Sequence, residues 1–308
     1  MRILVTGGAG FIGSNYVRYV LESTDAEVTT LDALTYAGDR SNLEGVSEER
    51  HEFVEGDITD RELVDDLVAE SDVVVNFAAE SHVDRSISGA RPFVESNVAG
   101  TQTLLDAAAE HGVERFVQIS TDEVYGEVLD GKFTESDCLN PRNPYAATKA
   151  AADHLARSYH ETHDVPVVIT RSSNNFGPRQ HEEKLIPKLI RRATAGKSLP
   201  IYGDGSNVRE WTYVTDNCRA VEQVRTEGAV GEVYNIGSGE ERTNTEVAEQ
   251  IVELVGADES LIEFVEDRPG HDQRYALDSS KVRELGWEPE FTFEEGLERT
   301  VEHYSGGE

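Results

Sequence analysis

The chain holds little sulfur: two cysteines and one methionine in 308 residues. Cys138 and Cys218 are too few for a disulfide framework or a zinc site, so no metal centre is expected. Base is scarce as well. Twenty-eight Lys and Arg stand against 60 Asp and Glu, a formal charge of −32 at pH 7. A surface of that sign repels phosphate backbones and anionic lipid, which excludes nucleic-acid and membrane partners. No apolar run reaches membrane-spanning length, and Met1-Arg2-Ile3-Leu4-Val5 leads into a strand pattern rather than a signal peptide. A cytoplasmic protein is expected. The acids are scattered along the whole chain rather than gathered in a tail. That suits adaptation to high salt, where ions screen the self-repulsion that would loosen such a fold; a halophilic source is expected.

Hydrophobic residues make up 38% of the chain, enough for one large domain or two that share a core. Residues 3–6, 27–31, 72–76, 115–119 and 165–169 read as buried strands, with helical patterns near 11–23, 60–70, 89–111 and 143–163 between them. Strand and helix in alternation predict an α/β fold: a Rossmann-type, doubly wound parallel sheet. The alternation breaks down near Arg171. A smaller C-terminal α/β region is therefore expected to bind substrate, formed by 171–211 and 237–308, with 212–236 returning to the first domain at 1–170.

Gly7, Gly10 and Gly13 follow the first strand and open a helix. Glycines there let the backbone turn tightly and approach a pyrophosphate at a helix N-terminus. The second strand ends at Asp32, 19 residues past Gly13. A carboxylate at that point accepts from ribose hydroxyls and repels a 2′-phosphate, so NAD is favoured over NADP. Asp57 and Ile58 follow the third strand, placed to meet the adenine.

Two further features carry chemistry. Tyr145 and Lys149 are four apart and share a helix face. An ammonium beside a phenol favours the phenolate, so Lys149 is expected to bring Tyr145 within reach of neutral pH as a base. Thr121, Asp122 and Glu123 stand at the carboxyl end of a strand, where open α/β sheets bind ligands. Thr121 offers a hydrogen bond to a substrate hydroxyl. Asp122 and Glu123 supply one acid and one base if their surroundings separate the two pKa values.

On these motifs the chain resembles the extended short-chain dehydrogenase/reductases and, within them, the dTDP-glucose 4,6-dehydratases. The likeness also rests on Asp32 to Gly38, Ala78 to Ser86, Thr121 to Gly126, Ser173 to Pro178, Lys184 to Pro187, Ile201 to Gly205, Arg209 to Trp211 and Arg268 to Asp272. The Asp-Glu pair after Thr121 discriminates: related dehydratases and decarboxylases typically carry Ser before the Glu, and 4-epimerases lack the acidic pair.

The resemblance implies a lyase with tightly bound NAD. Tyr145 would take the 4-hydroxyl proton while the C4 hydride passes to NAD. Glu123 would remove the C5 proton, Asp122 would protonate the departing 6-hydroxyl, and the hydride would return to C6. The product would be dTDP-4-dehydro-6-deoxy-glucose, feeding deoxysugar biosynthesis such as the rhamnose pathway. By matching position, Phe11, Ile12, Asp32, Ala33, Leu34, Thr35, Asp57, Ile58, Phe77, Ala78, Ala79, Ser81, Ser96, Tyr145, Lys149 and Asn175 join the glycines around NAD. Ser81, Thr121, Asn174, Lys184, Leu185, Pro200, Ile201, Tyr202, Arg209, Asn244, Asp267, Arg268, Pro269, Gly270 and His271 would hold the nucleotide sugar. Arg209 and Arg268 are forked cations suited to a diphosphate.

Phe176 replaces a frequent Tyr, Ala33 a frequent Lys and Ala147 a frequent Ser. These changes touch cofactor contacts rather than the reaction class. The helices near 89–111 and 143–163 resemble those that pair as a four-helix contact in the family's homodimers. A UDP-sugar 4,6-dehydratase or a sugar-nucleotide 4-epimerase would use the same scaffold, and thymine and uracil differ by one methyl. A third reading, an NAD-binding regulator without turnover, is opposed by the intact Tyr145, Lys149, Asp122 and Glu123.

Overall fold

Period-two alternation sets each inner strand between two apolar layers. Ile3 and Val5 join one buried cluster and Leu4 the other; Val73 and Val75 part from Val74 in the same way, and Val117 and Ile119 from Phe116. The computed structural model describes residues 1–267 and 270–306. The chain runs β1 (Arg2–Thr6), α1 (Phe11–Ser23), β2 (Glu27–Asp32), β3 (His51–Glu55), α2 (Arg61–Ala69), β4 (Val73–Asn76), α3 (Val83–Ser88), α4 (Arg91–Phe93), α5 (Thr101–His111), β5 (Arg115–Thr121), α6 (Pro144–His163) and β6 (Val167–Ser172). There follow β7 (Asn174–Phe176), α7 (Leu185–Thr194), β8 (Leu199–Tyr202), β9 (Val208–Tyr213), α8 (Val214–Glu227), β10 (Val233–Ile236), β11 (Glu241–Thr243), α9 (Asn244–Val255), β12 (Ile262–Val265), α10 (Ser280–Glu284) and α11 (Phe293–Ser305).

Seven parallel strands form the main sheet in the order β10-β6-β5-β4-β1-β2-β3, a Rossmann-type doubly wound arrangement. Residues of α1 and α8 cover one face; residues of α2, α5 and α6 cover the other. The strand order reverses between β1 and β4, and a crevice opens there at the strands' carboxyl ends. Strand β3 escaped the list of buried strands for a physical reason. It is the sheet's edge, and Glu52 and Glu55 are exposed.

The helix expected near 89–111 runs from Arg91 to His111, with a π-helical stretch inside it. After α3, Pro92 lies in the short α4, one turn of π-helix spans Val94–Gly100, and α5 begins at Thr101. Tertiary contacts account for the π-helical stretch. The Asn97 side chain accepts from the Glu80 N–H (2.8 Å) and donates to the Glu80 carbonyl (3.0 Å) and to Thr148 Oγ1 on α6 (2.9 Å). Gly100 lets Ile58 approach: a Cβ there would stand 2.4 Å from the Ile58 side chain. Such π-turns recur at functional sites, and this one carries Ser96 to the crevice.

The C-terminal elements form a three-stranded sheet, β11-β9-β7, and a parallel pair, β12-β8. Their own core gathers Phe176, Ile186, Leu189, Trp211, Val247, Ile251, Phe293 and Leu297. The Phe176 ring lies fully buried against Trp211, Tyr213 and Phe293, where a tyrosine hydroxyl would need its own buried partner. Among the described residues no helix is long and apolar enough to cross a membrane.

Candidate active site

One cavity of about 710 Å³ runs from the β1–α1 loop across the carboxyl ends of β4 and β5 to the start of α7. Its floor is the glycine turn. Gly7 sits at φ +67°, and a Cβ on it would stand 2.6 Å from the Ala78 nitrogen. A Cβ on Gly13 would stand 2.2 Å from the Gly7 carbonyl oxygen. Only hydrogen at both positions lets the loop and α1 close together. The first turn of α1 has no acidic residue, and Gly10 caps it without a side chain, which leaves its field open to an anion.

Asp32 ends β2 beside this turn. Its carboxylate accepts from the Ala9 N–H (2.9 Å) and the Leu34 N–H (2.8 Å), and burial pushes its pKa up despite those bonds. The turn and the carboxylate have the shape and donor-acceptor pattern that a dinucleotide's pyrophosphate and ribose need. Asp57, Ile58, Phe77, Ala78, Ala79, Ser81, Ser96 and Asn175 line the same cavity, with Phe11, Ile12, Ala33 and Thr35. Leu34 does not. Its backbone takes φ +48° to donate to Asp32, and its side chain turns away to pack on the core.

The carboxyl end of β5 brings the acids in. Asp122 to Tyr125 form a single 3-10 turn capped by Thr121, whose Oγ1 accepts from the Glu123 N–H at 3.3 Å. Asp122 is 2% exposed. Burial, and then the nearby Glu123 and Glu210 carboxylates, hold its pKa far above the usual range. Asp122 is thereby biased toward its protonated form. Thr121 Oγ1 lies 3.2 Å from its Oδ1, while Oδ2 is buried with no hydrogen-bond partner. Glu123 is less enclosed, and its Oε2 accepts from Asn143 Nδ2 at 3.0 Å. The two neighbouring carboxyls thus occupy different surroundings, as an acid and base pair requires.

Asn143 caps α6, with Pro144 opening it, so Tyr145 and Lys149 face the cavity within its first two turns. The Lys149 ammonium donates to the Ile119 carbonyl at 2.5 Å. Burial pushes its pKa down to about 8, against the pull of Asp153. The expectation for Tyr145 needs correction. Burial, then the Glu123 carboxylate, raise its pKa, with Thr121 opposing through a hydrogen bond. Lys149 is not among the groups that shift it most. A four-residue spacing gave no measure of how far burial would outweigh the ammonium.

The substrate candidates divide. Ser81, Thr121, Asn174 and Lys184 line the cavity, and Lys184 Nζ donates to the Ser81 carbonyl at 3.0 Å. Leu185, Pro200, Ile201, Tyr202, Arg209, Asn244, Asp267, Gly270 and His271 belong to the C-terminal elements and are not among its lining residues. Two of these are enclosed by the fold. Ile201 is 1% exposed, its side chain inside the C-terminal core. Arg209 is buried, stacked over the Tyr275 ring at 4.5 Å and donating to the carbonyls of Asp272 (2.8 Å) and Val208 (2.7 Å). Tyr202 and His271 lie edge to face, with His271 Nδ1 at 2.7 Å from Asp267 Oδ1. Arg268 and Pro269 lie outside the described residues.

Sequence reasoning left out several residues that the fold brings in. Tyr36 contacts Ser81 Oγ at 3.3 Å and carries the Arg85 guanidinium over its ring at 4.1 Å. Glu80, Gln180 and His181 also line the cavity. Tyr36 and Glu80 fall inside motifs already singled out, so their polar side chains beside Asp32 and Ser81 were a usable signal. Glu210 accepts from the Gly239 and Leu277 N–H groups and helps push the Asp122 pKa up, a pairing no local pattern announces.

Known proteins share this arrangement. The GDP-mannose 4,6 dehydratase family model matches residues 4–300. A Haloferax volcanii protein named for low-salt glycan biosynthesis, Agl12, is 68% identical over 307 residues, covering 99% of each chain. The Streptomyces niveus dTDP-glucose 4,6-dehydratase is 52% identical, covering 99% of this chain and 93% of its own. Among solved structures, DesIV, a dTDP-glucose 4,6-dehydratase from Streptomyces venezuelae crystallised with NAD, superposes with a TM-score of 0.98 at 51% identity, covering 100% and 98% of the two chains. A Thermus thermophilus UDP-glucose 4-epimerase with NAD gives 0.91 at 34% identity over the whole of both chains. The chain belongs to the GDP-mannose 4,6-dehydratase family.

Proposed function

We propose that this protein is an NAD-dependent dTDP-glucose 4,6-dehydratase, a lyase that converts dTDP-glucose to dTDP-4-dehydro-6-deoxy-glucose. One observation carries the reading. A buried Asp122, its pKa pushed up by burial and by the Glu123 and Glu210 carboxylates, stands next to Glu123 at the end of β5, in the cavity that Tyr145 and Lys149 face. An epimerase needs only the redox pair; an acid and a base side by side serve elimination.

The glycine turn and Asp32 would hold NAD, which would supply the hydride acceptor and later donor. Tyr145 takes the proton of the sugar 4-hydroxyl, with Thr121 holding that oxygen. Lys149, protonated below about pH 8, contributes a fixed positive charge beneath the site. The new 4-ketone acidifies C5, and Glu123 removes the C5 proton. Asp122 donates its proton to the 6-hydroxyl, which leaves as water and creates the C5–C6 double bond. Once C6 is reduced, Glu123 returns a proton to C5. The sum is loss of one water with no net redox change.

Residues 1–170 and 212–236 act as the NAD-binding unit in this reading, and 171–211 with 237–308 hold the nucleotide. The surface cluster of Tyr202, Asp267 and His271 offers a ring and hydrogen-bonding groups for a base. The exposed Val94, at the head of the π-turn beside α6, suits the helix pairing of a homodimer. In this reading the enzyme is cytoplasmic and salt-adapted, which the charge of −32 supports, and it feeds deoxysugar to glycans by a rhamnose route, of which the name of the 68% identical relative supports the glycan part. Purified protein at high salt is given dTDP-glucose or UDP-glucose. Loss of one water and formation of a 4-keto sugar with the thymine nucleotide support the reading; an isomer of unchanged mass refutes it.

A further inference from the structure

Asn143 has a second attachment that helix capping does not need. Its Oδ1 accepts from the Ala146 N–H at 2.8 Å, the ordinary N-cap bond of α6. Its Nδ2 donates to Glu123 Oε2 at 3.0 Å. Asn143 is 9% exposed, so both bonds are largely shielded from water. The amide's orientation is decided by its surroundings. Reversed, it would set oxygen against the carboxylate and NH₂ against an N–H donor.

The consequence is geometric. Glu123 belongs to the turn after β5, and Tyr145 lies two residues past Asn143 in the first turn of α6. One side chain therefore ties the turn bearing the acids to the helix bearing the phenol. Among the described residues, Asn143 provides the one side-chain hydrogen bond that the Glu123 carboxylate accepts. With Oε2 engaged, Oε1 is the oxygen left to meet a proton. A free Glu side chain has three rotatable bonds, and holding one oxygen removes most of that freedom before substrate arrives. The groups facing this pair are Thr121 and Asp122 on the β5 turn, Tyr145 on α6 and Tyr275, which feels the Glu123 charge from the C-terminal region.

We propose that Asn143 is a positioning residue of the reaction, whose amide holds Glu123 in the conformation from which it removes the C5 proton. This rests on the reading of Glu123 as that base. Two substitutions separate positioning from capping. Serine caps a helix as well as asparagine but cannot reach Glu123. Aspartate also caps but sets a carboxylate against a carboxylate.

The test uses the NAD-loaded enzyme with dTDP-glucose at fixed high salt. Asn143→Ser is expected to keep the parent's melting temperature, NAD content and KM. Its kcat should fall about tenfold to a hundredfold, the size of a lost hydrogen bond to a charged group. Because oxidation at C4 precedes proton removal at C5, reduced cofactor should build up during turnover. Deuterium uptake from D₂O at C5 should slow in step with kcat. Asn143→Asp should lose more kcat than Asn143→Ser, again with reduced cofactor present. Parental kcat in Asn143→Ser, alongside an inactive Glu123→Gln, overturns the inference while sparing the base. Parental turnover in Glu123→Gln overturns the reading on which it rests. Loss of activity that tracks loss of NAD and melting temperature, with no reduced cofactor, makes Asn143 a cap only and also overturns the inference.

Discussion

Asp122→Asn should make the protein inactive and, as pH rises, progressively more stable than its parent. The Asp122 carboxyl is buried beside Glu123 and Glu210, and its pKa in the folded protein lies far above that of an unfolded chain. Below pH ~4 both states carry the proton and the group is neutral to stability. Above that, the unfolded chain releases the proton and the folded one retains it, so folding loses about 1.4 kcal/mol per pH unit until the folded pKa is passed. Asparagine cannot ionise, and it can keep the Thr121 hydrogen bond at the Oδ1 position. Its NH₂ enters the place of Oδ2, which has no partner, at a cost of about 1–3 kcal/mol that does not vary with pH. The slope of the difference is therefore the test, not its value at one pH. For a chain of this size the gap in melting temperature should change by about 2 °C per pH unit in the variant's favour while the pH stays below the folded pKa. Thermal melts of the NAD-saturated proteins between pH 5 and 8, at one high salt concentration, measure it. A gap that stays flat, or moves in the parent's favour, refutes a neutral Asp122.

Tyr145→Phe should form no reduced cofactor with dTDP-glucose, whereas Asp122→Asn should form it and stall, as near-ultraviolet absorbance in single turnover would show; identical stalling before oxidation would overturn the division of roles. Burial sets the Lys149 pKa to about 8, so the charge is present below that pH and lost above it. The alkaline limb of kcat/KM should fall near pH 8, and Lys149→Arg should move it upward; an unchanged limb refutes the role given to this ammonium.

What could be read in the sequence followed from local rules. Alternating Ile3, Leu4 and Val5 announced a strand covered on both faces, and Gly7 to Gly13 with Asp32 announced the cofactor turn, because spacing along one chain segment decides both. The π-turn at Val94–Gly100 could not be read this way. The residues there read as ordinary helix, and the cause of the π stretch is the contact of Asn97 with Glu80 and Thr148. The chemistry of Arg209 was legible, but its carbonyl partners at Asp272 and Gln273 lie more than 60 residues away and have no local pattern. The pKa of Tyr145 depends on burial by the assembled fold, and the Asn143 bridge joins positions 20 residues apart. Each of these is a tertiary fact with no local signature.

The central claim is that a hydrogen leaves C4 of one hexose and returns to C6 of the same molecule while water departs. dTDP-glucose carrying deuterium at C4 tests it directly, incubated with the NAD-loaded enzyme and an excess of unlabelled substrate. A 4-keto product is expected, lighter by one water, with the deuterium in its C6 methyl group and none passed to unlabelled molecules. Deuterium retained at C4 in a product of unchanged mass, or washed out to solvent, would contradict it.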